Sequence, residues 1–103
     1  MPHRQNQSSE RETILTVLTE PPRYAVLLHN DDYTTMDFVV GILESVFHKP
    51  YPEAMRIMQL VHEKGVGVCG VYTHEIAEAR VSMVRKLAEA NDFPLLCTME
   101  KEG

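Results

Sequence analysis

Three short β-type runs alternate with helix-type patterns along the chain, and this order constrains the fold more than any other feature. Tyr24–Leu28 is an apolar run typical of a buried strand, Val66–Tyr72 is rich in valine, and Leu95–Met99 completes the set. Apolar residues recur at helical spacing over about residues 36–47, 52–64 and 74–91. The order β-α-α-β-α-β predicts a small α+β domain in which a three-stranded antiparallel sheet is covered by helices.

Turn and cap residues support these boundaries. The polar residues 29–32 interrupt the first strand, because Asn and Asp side chains accept hydrogen bonds from nearby backbone N–H groups. Either Thr34 or Thr35 is placed to cap the first helix. Gly67 and Gly70 lie inside the second β-run, which indicates a β-bulge or a close approach of another part of the chain.

Composition and charge exclude several classes of partner. A chain of 103 residues with 44% apolar content fits one globular domain. Its net charge of −5 disfavours both nucleic acid and an anionic membrane surface as partners, since each requires a basic face. No apolar run approaches the roughly 18 residues that a membrane span needs. The first ten residues lack the apolar core of a signal peptide, so we expect a cytoplasmic protein.

The two cysteines show no metal-ligand or redox spacing. Cys69 and Cys97 are far apart in the sequence, and neither belongs to a Cys-x-x-Cys pair. In the reducing cytoplasm, thiols of this kind serve as small apolar groups. We therefore predict that both are buried and unpaired, and that the chain binds no metal through them.

The sequence divides into a flexible N-terminal tail, residues 1–22, and a core domain, residues 23–103. Pro21-Pro22 forms a stiff, non-helical joint between the two parts. The tail contains one apolar cluster, Ile14–Leu18, which carries no charge. This cluster either packs on its own domain as a short helix or strand, or docks on a partner. Five residues give no periodicity that would decide between these possibilities.

Motifs of common enzymes are incomplete in this chain. His62-Glu63 begins like the helix of a zinc protease, but the second histidine would be needed at position 66, which is Val66. Residues 30–34 resemble the start of a calcium-binding loop, but the sixth position is not glycine, and the twelfth is Gly41 rather than Glu. The chain also has no glycine-rich phosphate loop.

The acidic turn after the first strand is the most informative polar segment. Asn30, Asp31 and Asp32 place an amide and two carboxylates between a strand and a helix. Such a segment is either a polar turn with a helix cap or a binding site for a cation. His62 shares a helix face with Met58, four residues earlier, and is either a half-buried structural residue or part of the same site.

Four motifs in a fixed order make the chain recognisable. They are N-D-D-Y-T-x-M-D-F at residues 30–38, V-H-x-x-G at 61–65, C-G-V-Y-T-x-E-I-A-E at 69–78 and P-L-x-C-T at 94–98. With this set, residues 22 to 102 resemble the ClpS family of proteolytic adaptors. Thr35 stands where proline is common in the family, and Arg80 stands where lysine is more common.

The resemblance implies a function without catalysis. Members of the family bind N-degron proteins, whose N-terminal residue is Phe, Tyr, Trp or Leu, and deliver them to the AAA+ unfoldase ClpA or ClpC, which feeds the ClpP peptidase. The family needs no metal or cofactor, and it is not enzymatic. Two alternatives remain: an inhibitor or assembly factor that binds the unfoldase without cargo, and a small acid–base or metal-dependent enzyme that uses Asp31, Asp32 and His62.

The resemblance also assigns roles to individual residues. The residues expected to bind the α-amino group of the substrate are Asn30, Asp31 and His62. The expected wall of the side-chain pocket consists of Thr34, Met36, Val39, Met58, Val61 and Leu95. Asp32 and Tyr33 are expected at the rim of the pocket. Glu75 and Arg80, on the third helix, are expected to contact the N-terminal domain of the unfoldase.

Overall fold

The structure, a computed structural model of the chain, describes residues 20–103. In chain order its elements are β1 (Arg23–His29), α1 (Met36–Ser45), α2 (Tyr51–Lys64), β2 (Val66–Thr73), α3 (His74–Ala90) and β3 (Leu96–Lys101). The predicted α+β order is confirmed, and the bounds of each element lie within one or two residues of the prediction. The apolar cluster Ile14–Leu18 and the rest of residues 1–19 lie outside the described residues.

The three strands form an antiparallel sheet in the order β2-β1-β3, so that β1 is central. Val26 pairs with Gly70 and Leu27 pairs with Val68, which leaves Cys69 as the extra residue of a β-bulge. A Cβ atom on Gly67 would lie 2.8 Å from Cγ2 of Val61, so α2 approaches the sheet closely there. Both structural roles predicted for the glycines of β2 are confirmed.

The hydrophobic core lies between one face of the sheet and the helices. Val26 and Leu28 of β1 are fully buried and point towards α1, α2 and α3. Cys69 and Cys97 are buried free thiols on the same face, as predicted. Burial raises the pKa of each thiol to about 12, because the thiolate would lose its hydration there.

Helix α1 begins at a side-chain cap, which fixes where the loop of residues 30–35 ends. Thr35 is the N-cap residue, and its Oγ1 accepts a hydrogen bond of 3.1 Å from the backbone N–H of Phe38. Of the two threonines proposed as caps, Thr35 therefore has this role. Asp37 in the first turn also suits the positive end of the helix dipole.

Within residues 20–103, no helix is long and apolar enough to cross a membrane.

Candidate binding site

A cavity of about 390 Å³ lies where the end of β1, the start of α1 and the end of α2 meet. Its lining combines polar and apolar side chains. The lining residues are Asn30, Asp31, Asp32, Tyr33, Thr34, Thr35, Met36, Val39, Met58, Val61 and His62. Residues 30–39 and residues 58–62, which are distant in the sequence, therefore converge on one concave surface.

One backbone hydrogen bond joins the residue that follows β1 to the residue that caps the end of α2. The N–H of Asn30 donates to the carbonyl oxygen of Gly65 at 2.9 Å. Gly65 ends α2 in the left-handed conformation, with φ of 87°, which glycine adopts without a Cβ penalty. This reversal of the chain directs the last turn of α2 towards the end of β1. His62 is consequently held on the same cavity as the acidic turn.

The carboxylate of Asp31 organises the loop that forms the mouth of the cavity. Oδ1 accepts hydrogen bonds from the backbone N–H groups of Tyr33 and Thr34, at 2.8 and 2.7 Å. Oδ2 accepts a further bond of 2.7 Å from the hydroxyl of Thr34. A carboxylate oxygen has two acceptor positions, so Oδ1 is fully occupied and Oδ2 retains one. Asp31 thus shapes the turn and still presents one acceptor position to a ligand.

These hydrogen bonds also fix the charge of Asp31. Partial burial alone would raise the pKa of this carboxyl group, but the bonds from the Thr34 side chain and from the Thr34 and Tyr33 backbones outweigh that effect. The net result is a pKa below the ordinary value for aspartate. The mouth of the cavity therefore carries a full negative charge at neutral pH.

The floor of the cavity is apolar, in contrast to its mouth. Val39 from α1 and Met58 and Val61 from α2 are buried side chains of the hydrophobic core. Met36, at the start of α1, lines the same cavity and is 49% exposed. Tyr33 is 78% exposed and lies at the outer margin. The cavity can accept a ligand with a cationic end at the mouth and an apolar side chain on the floor.

The structure brings together ten of the predicted site residues and separates the others from them. All residues assigned to the amine site, the rim and the pocket wall line the cavity, with the exception of Leu95. Leu95 is only 7% exposed and belongs to the hydrophobic core, so the cavity lining does not support its assignment to the wall. Thr35 also lines the cavity, although the sequence analysis gave it no site role. The sequence signal that could have indicated this place on the cavity is the position of Thr35 directly before Met36, at the start of α1.

Glu75 and Arg80 lie away from the cavity, on α3. Glu75 is exposed in the first turn of the helix. The guanidinium carbon of Arg80 lies 5.9 Å from the centre of the Tyr72 ring, and one of its nitrogens, Nη1, lies 3.9 Å from the sulfur of Met83. Within residues 20–103, Nε of Arg80 is buried and has no hydrogen-bond acceptor.

The described residues, 20–103, contain no group of three or more His, Cys, Asp or Glu residues arranged to hold a metal ion.

The family assignment follows from comparison with known proteins. Residues 19–98 match the family model described as "ATP-dependent Clp protease adaptor protein ClpS". The chain belongs to the ClpS family. As a ClpS protein it is an adaptor of a protease and not an enzyme. The match includes every residue that lines the cavity.

Curated ClpS proteins are similar over most of their length. The "ATP-dependent Clp protease adapter protein ClpS" of Desulfotalea psychrophila is 57% identical over 97 residues, which cover 93% of this chain and 95% of the relative. The ClpS protein of Oleidesulfovibrio alaskensis is 61% identical over 84 residues, which cover 82% and 81% of the two chains.

A solved ClpS structure confirms the fold. It is Agrobacterium tumefaciens ClpS2 bound to L-phenylalaninamide, which is 36% identical to this chain with a TM-score of 0.78. The alignment covers 81% of this chain and 100% of ClpS2.

Proposed function

We propose that this ClpS protein binds the N-terminal residue of proteins that begin with Phe, Tyr, Trp or Leu. It then delivers them to a Clp unfoldase of the ClpA or ClpC type for degradation by ClpP in the cytoplasm. The observation that carries the proposal is the cavity itself, in which an anionic, hydrogen-bonding mouth stands above an apolar floor. A protein N-terminus with a large apolar side chain has the complementary chemistry.

The mouth suits a free α-amino group. Such a group has a pKa near 8, so it is largely cationic at neutral pH and offers three hydrogen-bond donors. Three acceptors face it in the proposal: the vacant position on Oδ2 of Asp31, the amide oxygen of Asn30 and a ring nitrogen of His62. Hydrogen bonds to charged groups contribute about 1.5–3 kcal/mol each. An acetylated N-terminus loses the charge and two of the three donors.

The floor suits a large apolar side chain. Burying a Leu or Phe side chain against Val39, Met58 and Val61 contributes about 1.5–3 kcal/mol, which Ala and Gly cannot match. The ligand of the similar ClpS2 structure, L-phenylalaninamide, combines a free amine with an aromatic side chain. That combination supports the proposed occupant of this cavity.

Delivery requires surfaces other than the cavity. We assign unfoldase binding to Glu75 and Arg80 of α3, and cargo transfer to the N-terminal tail, residues 1–22, which precedes the core domain of residues 23–103. Glu75 is exposed and Arg80 is half-buried, so both side chains can reach a partner, which supports this role. Glu75 and Arg80 lie outside the cavity lining, which supports unfoldase binding as a role separable from recognition of the cargo.

A fluorescence titration tests the proposal. Peptides that differ only in residue one should bind when they begin with Phe, Tyr, Trp or Leu, and at least tenfold more weakly when they begin with Ala or Gly. Addition of EDTA should leave these affinities unchanged, whereas a metal-dependent site would lose them. If no peptide binds, whatever its first residue, the result would contradict cargo binding and favour an inhibitor or assembly factor that acts on the unfoldase alone.

A further inference from the structure

The face of the sheet opposite the helices, here called the outer face, carries exposed apolar side chains next to the hydrogen-bonded pair His29 and Thr98, and residues 20–103 leave it uncovered. Strand pairing places Leu27 of β1 beside Val68 of β2, and His29 beside Val66 and Leu96. Val68 is 48% exposed and Leu96 is 55% exposed. The three helices all pack on the opposite face, so the described residues leave this surface to solvent.

We propose that residues 14–18 of the same chain cover the outer face as an extended segment antiparallel to β1. This segment, Ile-Leu-Thr-Val-Leu, carries no charge, and four of its five side chains are apolar. Its three β-branched residues, Ile14, Thr16 and Val17, favour an extended conformation on a pleated surface. Successive side chains of an extended segment alternate in direction, so either residues 14, 16 and 18 or residues 15 and 17 face the sheet. Each set contains two apolar side chains.

The point where the described chain begins supports this location. The described residues start at Glu20, whose carboxylate lies 3.6 Å from Nε of Arg23, the first residue of the central strand. Residues 19–22 therefore connect the segment directly to β1. Four extended residues span about 13 Å, which is enough to cross the roughly 10 Å that separates packed β-layers. The five residues 14–18 then match the length of Ala25–His29, the five β1 residues that follow Tyr24.

Charge favours this occupant over a second copy of the chain. Two copies would bring together molecules that each carry a net charge of −5, whereas residues 13–19 are uncharged. The segment would also be tethered beside the face, so its effective concentration there would be high. The cavity lies on the helix side of the sheet, so this docking leaves cargo binding intact and leaves residues 1–13 for delivery.

The test compares the full chain with a variant that lacks residues 1–18, each with and without Val68→Lys. The truncation should lower Tm by about 4–8 °C, as expected for a loss near 1 kcal/mol in a domain of this size. Val68→Lys should lower Tm in the full chain but not in the truncated one. Met83→Lys on α3, at a residue 41% exposed, is the matched control and should have the same effect in both backgrounds.

Phe-peptide binding should be retained by each variant and reports that it is folded. Equal Tm values for the full and truncated chains, or an equal effect of Val68→Lys in both, would overturn the proposal. A full-chain dimer that Val68→Lys dissociates would assign the outer face to a second copy and would also overturn it.

Cross-linking provides a measurement that does not depend on stability. A short bis-maleimide should link Val17→Cys to Val68→Cys within one molecule, since Cys69 and Cys97 are buried. The pair Val17→Cys and Met83→Cys is the control and should remain unlinked. Equal yields for the two pairs, or links between molecules only, would contradict docking of the segment.

Discussion

The hydroxyl of Thr34 donates a hydrogen bond of 2.7 Å to Oδ2 of Asp31, the carboxylate oxygen that retains an acceptor position for a ligand. The backbone N–H groups of Tyr33 and Thr34 occupy the other oxygen. Thr34 therefore orients the remaining acceptor and helps to keep Asp31 ionised. In the proposed function, this pair couples the structure of the loop to recognition of the α-amino group.

Replacement of Thr34 tests that coupling. Thr34→Val keeps the shape of the side chain but removes the hydroxyl, so the pKa of Asp31 should rise towards its ordinary value. Without this bond Oδ2 is no longer held in place, and orienting it on binding should cost about 1 kcal/mol, which weakens Phe-peptide binding roughly fivefold. Thr34→Ser retains the hydroxyl and should bind within twofold of the wild type. Isothermal titration calorimetry of both variants decides the matter, and wild-type affinity in Thr34→Val would contradict the coupling.

Gly67 links the sheet to the floor of the cavity. In Gly67→Ala the new Cβ would lie 2.8 Å from Cγ2 of Val61, so α2 must shift or Val61 must change rotamer. We expect a loss of about 1–3 kcal/mol in unfolding free energy, as for other overpacked sites, together with weaker Leu-peptide binding. Urea denaturation and peptide titration measure the two effects.

Gly41 on α1 provides the matched control. Apart from its chain neighbours and the backbone of its own helix, no atom of the described residues lies within 4 Å of a Cβ built there, and the residue is exposed within the helix. Gly41→Ala should therefore raise the unfolding free energy by about 0.5–1 kcal/mol, because alanine favours helix. Its peptide affinity should stay at the wild-type value. An equal loss of affinity in both alanine variants would rule out a specific effect through Val61.

Met36 is predicted to restrict the shape of the bound side chain. Its side chain lines the cavity and is half-exposed, and we expect it to crowd the branched Cβ of Ile or Val but to leave room for Leu. Met36→Ala should therefore extend binding to peptides that begin with Ile or Val. A variant that binds Leu-peptides more weakly and still rejects Ile would place the restriction elsewhere.

The buried thiols predict how stability changes at alkaline pH. Burial raises the folded-state pKa of Cys69 and Cys97 to about 12, whereas an unfolded thiol titrates near 8.5–9. Their contribution to stability should be complete below about pH 9 and should be lost as pH rises towards 12. In native protein at pH 8, neither thiol should react with a disulfide reagent except through unfolding. Met83→Cys, at an exposed position on α3, is the control and should react at once.

Much of the fold could be predicted because the relevant signals are local. Gly65 ends α2, and Gly67 marks the close approach of α2 to the sheet. The end of α1 was less predictable: the helix stops at Ser45, yet Val46 and Phe47 remain buried. Apolar periodicity reports burial, and it cannot distinguish a core residue in a helix from one in the loop that follows.

The candidate site could be predicted less completely, because a cavity depends on non-local packing. Asn30 and His62 are 32 positions apart, and they converge because α2 packs closely on the sheet and Asn30 donates a hydrogen bond to Gly65. Leu95 precedes β3 and alternates with the exposed Leu96, so its side chain is directed into the core. The sequence left the cap of α1 open between Thr34 and Thr35, and both the capping role of Thr35 and its place on the cavity wall required the structure.

The most direct test of the account compares a Phe-initiated peptide with its N-acetylated twin on the wild type and on Asp31→Ala. Calorimetry should show that the free-amine peptide binds to the wild type. Its affinity for Asp31→Ala should be lower by at least 2 kcal/mol, or roughly thirtyfold. The acetylated peptide should not bind to either protein. Equal affinity of the wild type for the two peptides would contradict recognition of the α-amino group at this cavity.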